Sequence, residues 1–167
     1  MLQAGGGGPL ACGDTRPRRH AYISRIDRGD EMPESERLAR RYFALFGSGL
    51  TEELLEVIHP EIELALRTQP GTVLHGREEV AAFVREISGR SYQTVAWVYA
   101  PVDESRIVVE GRIQWTDDER VLRDDPVVWA LEFCDGLLLR STTAQTTLEA
   151  ESIIASWQAV DESSEPG

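Results

Sequence analysis

The sequence predicts an α+β fold in which a curved, mostly antiparallel sheet wraps around three N-terminal helices. Three observations carry this. Apolar residues recur at helical spacing in two segments before residue 60, and again between Gly76 and Gly89. After Gly89 the period changes from 3.6 to 2. The alternating segments are joined by short connections, of which Asp135-Gly136 is the strongest hairpin signal. Helices first and a meander after them define the class, and the sheet has to curve to bury one face against them.

Pro33, Glu34 and Glu36 suit the first turn of a helix. Leu38, Tyr42, Leu45 and Phe46 form its apolar stripe, and Gly47-Ser48-Gly49 stops it. Thr51, with Glu52 and Glu53, caps a short second helix carrying Leu54, Leu55 and Ile58, which Pro60 ends. Ile62, Leu64 and Leu66 alternate with outward residues as a strand, and Gln69-Pro70-Gly71 turns the chain. Val80, Phe83, Val84 and Ile87 are the face of the third helix. Strands follow at 92–99, 105–116, 127–134 and 137–148, with Asp117-Asp118-Glu119 and the segment before Val127 as connections. Ile153, Ile154, Trp157 and Val160 suggest a short C-terminal helix.

Residues 1–33 differ in kind. Gly5 to Gly8, Pro9, Pro17 and the basic cluster Arg16, Arg18, Arg19, His20 lack apolar periodicity and predict a disordered tail. The fold signal begins just after Met32, which makes Met32 a candidate native start. One domain is expected over 34–160, with a frayed end over 161–167.

The chain holds 17 arginines, no lysine and no asparagine, against 29 acids, for a net charge of -12. Lysine Schiff bases and phosphate-loop lysines are therefore excluded. So strong an acidic excess argues against a nucleic-acid partner, which needs a positive patch. No apolar run reaches the length of a membrane span. Cys12 and Cys134 do not make a disulfide framework, and the reducing cytoplasm is the expected compartment. No metal-ligand spacing, nucleophile elbow or dinucleotide fingerprint occurs, so neither metal nor cofactor is expected.

Several phrases, in order, resemble the nuclear transport factor 2-like superfamily and its SnoaL-like group. They are Arg41-Tyr42-Phe43-Ala44-Leu45-Phe46, Ile58-His59-Pro60-Glu61, Gly76-Arg77-Glu78-Glu79-Val80 and Phe133-Cys134-Asp135-Gly136-Leu137. The resemblance implies a cone with a pocket at its wide end, and a homodimer through the outer face of the sheet. It does not fix a function, because the scaffold hosts isomerases, cyclases, hydrolases and binding proteins.

The chemistries of such proteins meet this sequence unevenly. Isomerase-like members place a carboxylate base near the end of the first strand; here that position reads Leu66-Arg67. Their second oxyanion donor would fall near Trp129, and only Tyr42 keeps a donor. The hydrolase Arg-x-Asp becomes Arg112-Ile113-Gln114; Arg123-Asp124-Asp125 has the spacing but reads as loop. Of the domain's histidines, His59 reads as a helix-end residue and His75 as a candidate at the pocket mouth. The candidate catalytic residues are thus Tyr42 and His75. Phe46, Arg67, Trp97, Trp115, Trp129, Phe133, Thr143 and Gln145 are the candidate ligand contacts, with core filling the competing role for the aromatics. Two functions follow. One is a pocket protein acting as isomerase, cyclase or hydrolase on an apolar polycyclic or terpenoid compound. The other is a non-catalytic ligand-binding or protein-interaction module.

Overall fold

The computed structural model describes residues 31–48, 51–67, 69–88 and 92–163. The tail expected over 1–33 and the frayed end lie outside them except at their margins. The elements are α1 (Glu34–Ser48), α2 (Thr51–Glu56), β1 (Ile58–Ala65), β2 (Val73–His75) and α3 (Gly76–Ser88). Then come β3 (Gln93–Pro101), β4 (Arg106–Thr116), β5 (Leu122–Cys134), β6 (Leu137–Ala144) and α4 (Thr147–Ser163). The strands form one sheet in the order β2-β1-β6-β5-β4-β3, with β1 and β6 parallel and all other pairs antiparallel.

The first three helices pack on one face of this sheet. Leu38, Tyr42 and Phe43 of α1, Leu54 of α2, and Val80 and Val84 of α3 meet Ile62, Val109, Ile113, Trp129 and Leu131 in the main core. Helix α1 is fastened at its start, where the Ser35 hydroxyl donates to the Asp103 carbonyl at 2.7 Å. Its exposed side carries Glu34–Arg37 and Glu36–Arg40 pairs, each of small worth.

The opposite, outer face is covered in part by α4. Ala150 and Ile154 pack on Val108, Val128, Ala130 and Ala144 as a second, smaller core. Helix α4 is longer than the short C-terminal helix expected, and it replaces the end of the strand expected to run to residue 148. A capping box explains this. The Glu149 amide donates to the Thr146 hydroxyl (3.2 Å), and the Gln145 amide donates to the Glu149 carboxylate (2.8 Å).

Three more boundaries differ from the sequence reading. Pro60 lies inside β1, not at the end of a helix, and His59 is a strand residue whose Nδ1 accepts the Glu61 amide at 3.1 Å. The segment after Gly71 returns as β2 along β1. Arg123-Asp124-Asp125 is strand, not loop: β5 starts at Leu122 and pairs with β4 from there to Glu132, Pro126 lying opposite Arg112. Strand β6 reaches only as far as Val128, so Pro126 sits where β5 has one neighbour and its missing N–H can face the open side. Asp117 closes this β4–β5 hairpin by accepting the amides of Val121 (2.9 Å) and Glu119 (3.0 Å) and Arg123 Nε (2.8 Å). The Val121 amide foremost, and Arg123 after it, hold the Asp117 carboxyl below its usual range.

Among the described residues no helix is long and apolar enough to cross a membrane. Cys134 is disulfide-bonded, not the free thiol that a reducing compartment implies.

Candidate functional site

Between α1 and the inner face of the sheet lies a small cavity of about 30 Å³, room for about two waters. The alternation of strand residues that builds the core also builds its walls. Leu64 and Leu66 enter from β1 and its end, Ile113 from β4 and Trp129 from β5, while α1 contributes Tyr42, Phe43 and Phe46. The aromatic rings touch in series: Trp129–Phe43 at 4.7 Å between centroids, Phe43–Tyr42 at 5.1 Å, Tyr42–Phe46 at 5.6 Å and Phe46–Tyr92 at 5.9 Å.

Polar groups interrupt this wall at few points: Tyr42, Arg67, Tyr92, Thr94, Ser141 and Thr143. Burial, and secondarily the neighbouring Tyr92, push the Tyr42 hydroxyl far above its usual pKa. Burial also pushes Tyr92 up to about 12. Both are therefore neutral hydroxyls at any physiological pH. The Thr94 hydroxyl oxygen is buried and has no hydrogen-bond partner. Among the described residues no carboxylate, imidazole or thiol contributes to the lining.

Of the candidates named from sequence, the structure brings Tyr42, Phe46, Arg67, Trp129 and Thr143 together around the cavity. The rest lie elsewhere. His75 ends β2 with an exposed side chain, its Nδ1 4.0 Å from the Glu63 carboxylate, while its amide donates to Glu79 at 2.7 Å. Gln145 is exposed in the cap of α4, because the chain leaves the sheet after Ala144. Trp97 is 51% exposed: it follows the inward residues Thr94 and Ala96 as the unpaired residue of a register shift, and the shift brings Tyr99 back to the inner face. Trp115 packs against the core outside the cavity. Phe133 is buried toward the β3–β4 connection, where its amide donates to the Ser105 carbonyl at 2.8 Å.

Sequence reasoning missed Phe43, Tyr92, Thr94 and Ser141. Tyr92 and Thr94 share the inward phase of β3 with Ala96. Ser141 opposes Leu131, an inward residue of β5, so cross-strand register places it.

No family model and no curated protein matches the sequence. Solved structures do resemble it in fold. One is Rv0760c from Mycobacterium tuberculosis, in complex with estradiol-17β-hemisuccinate (TM-score 0.62, 13% identity, 70% of this chain and 96% of that one). Another is the Δ5-3-ketosteroid isomerase of a Mycobacterium species (TM-score 0.60, 16% identity, 71% and 97%). A third is a computationally designed 17-OHP binder (TM-score 0.62, 14% identity, 69% and 93%). The fold is the nuclear transport factor 2-like cone.

Proposed function

We propose that the chamber is a non-catalytic pocket for a small apolar ligand bearing a hydrogen-bond acceptor. One observation carries the reading: the described lining offers hydroxyl and guanidinium donors on an aromatic wall, and among the described residues no group that can take a proton at neutral pH. Abstracting a proton beside a carbonyl, or activating a water, needs such a base within hydrogen-bond reach. Tyr42 and Tyr92, held neutral by burial, donate without accepting a proton. Steroid binding by two of the fold's relatives, one of them a designed binder, supports an apolar ligand. The isomerase, cyclase or hydrolase reading has the isomerase neighbour in its favour, but no described residue of the chamber is a base.

Size matters as well. Pockets for drug-sized ligands span roughly 300–1,000 Å³, against about 30 Å³ here. A polycyclic body has to displace the half-buried rim, formed by Phe46, Phe83 and Tyr92. A homodimer through the outer sheet face belongs to this reading, confined to the part that α4 leaves open.

The test is titration with a Δ5-3-ketosteroid, following tryptophan emission for binding and ultraviolet absorbance for the conjugated ketone that isomerisation forms. Quenching without new absorbance is expected. Catalysed appearance of the conjugated product overturns the non-catalytic reading. Absence of binding by this steroid and by smaller aromatic probes overturns the pocket itself.

A further inference from the structure

We infer that the pocket's ligand is an apolar monocarboxylic acid, bound as its anion with the carboxylate on Arg67. This rests on the chamber being a binding pocket. Four described arginines are half-buried: Arg67, Arg77, Arg106 and Arg140. Three of them have protein acceptors. Arg77 Nε donates to the Ile58 carbonyl at 2.7 Å, and Arg106 and Arg140 share Glu132. Arg67 has neither carboxylate nor carbonyl partner among the described residues, although it lines an apolar chamber in a chain with 29 acids. Removing a guanidinium partly from water without a counter-charge is costly, and an incoming anion offsets that cost.

The rest of the lining points the same way. The Thr94 hydroxyl is a second polar group left without a partner at the same chamber. The neutral hydroxyls of Tyr42, Tyr92 and Thr143 add donors, and among the described residues no acid in the lining repels an anion. The chain's net charge of -12 disfavours non-specific anion binding. A single planar guanidinium matches a carboxylate in two parallel hydrogen bonds. It would leave a phosphate dianion half-compensated, which selects the monoanion. The void is large enough for the head group, while the apolar body takes the space of the rim aromatics.

The experiment uses the full chain and two probes of one shape, benzoate and its neutral isostere benzamide, compared by calorimetry. Benzoate is expected to bind at least about tenfold tighter than benzamide, the scale of one charge-assisted contact. Arg67→Met should cut that preference to less than about twofold; Arg67→Lys should restore part of it. Added salt should weaken benzoate selectively. Equal binding of the two probes, or a preference that survives Arg67→Met, overturns the assignment while leaving the pocket standing. Binding of neither probe to the wild-type chain overturns the pocket as well.

Discussion

Gly111 on β4 lies directly beneath Trp129 of β5. A Cβ at residue 111 would stand 2.8 Å from Trp129 Cζ3 and 2.1 Å from the Val95 carbonyl oxygen. The missing side chain lets β3 close in beside its bulge and lets the Trp129 ring reach Phe43 as a wall of the chamber. Gly111→Ala therefore has to move backbone, not a flexible side chain. The expected cost is about 2 kcal/mol, as for an overpacked core, read as a lower urea midpoint. A change under about 0.5 kcal/mol, the range of an ordinary surface substitution, would show that β3 yields freely at the bulge.

Glu132 is 4% exposed and accepts Arg106 Nε and Arg140 Nη1, each at 2.9 Å. Asp103 extends the network beyond Arg106 at 3.2 Å, and Glu63 beyond Arg140 at 3.8 Å, so it ties the β3–β4 connection to β5, β6 and β1. Glu132→Gln keeps the volume and removes the charge, leaving two partly buried guanidinium groups under-compensated. We expect a loss of about 3 kcal/mol in chemical denaturation. The triple variant combining Arg106→Met, Glu132→Leu and Arg140→Met should cost less than the single one, because it removes the charges together.

Thr146→Ala removes one half of the α4 capping box and Glu149→Ala the other. Each should cost about 1 kcal/mol, and the double variant less than the sum, since both bonds close the same turn. Thermal unfolding followed at 222 nm reads this directly. Additive losses would mean that the two bonds act independently.

What the sequence makes legible here is whatever repeats. The Leu38/Tyr42 stripe, the alternation along β4 and the Asp135-Gly136 turn all declare themselves. The turn's φ values of 51° and 78° are the left-handed pair such a hairpin needs. Features set by one local bond or one inserted residue were not legible. Thr146 and Thr147 favour a strand by propensity, yet the Thr146–Glu149 cap turned that stretch into helix. Alternation shared with Tyr99 places Trp97 inward, but the bulge at Trp97 lets both Ala96 and Tyr99 face the core and leaves Trp97 outside, a break with no mark in the pattern. At Leu66-Arg67, where the resemblance implies an isomerase-type base, the sequence itself shows no carboxylate. The identity of the polar lining could not be read in the same way, because Ser141 and Thr94 meet only through the strand order β6-β5-β4-β3.

The two tyrosines of the chamber make stability fall in alkali. Burial raises the folded pKa of Tyr92 to about 12, and that of Tyr42 further still, above the ordinary value of 10.0. The unfolded chain then releases protons before the folded one does. The stabilisation is complete below pH 10 and is lost as pH rises from there through the folded values. Tyrosinate absorbance at 295 nm should show Tyr42 and Tyr92 ionising only together with unfolding. The variants Tyr42→Phe and Tyr92→Phe should each flatten the alkaline decline. An early, reversible titration of all tyrosines would contradict the burial.

Among the described residues, the outer face carries an apolar strip at its edge. Val95, Trp97 and Val98 are 46%, 51% and 40% exposed on edge strand β3. Val95 and Val98 oppose Arg112 and Glu110, which share their phase with Val108 under α4. Helix α4 thus occupies the centre of this face and leaves an apolar strip at its margin, with the Arg112 guanidinium 5.8 Å from the Trp97 ring. A homodimer on this face must bury that strip, and Trp97 has the surface area and cation-stacking partner typical of an interface anchor. Trp97→Glu should then shift sedimentation-equilibrium profiles toward the monomer, weakening association at least about tenfold, while monomer stability changes by under about 0.5 kcal/mol. If the wild-type chain already sediments as a monomer at high micromolar concentration, the outer face is not a self-interface. α4 would then explain why, since it fills the surface on which a second sheet would otherwise pack.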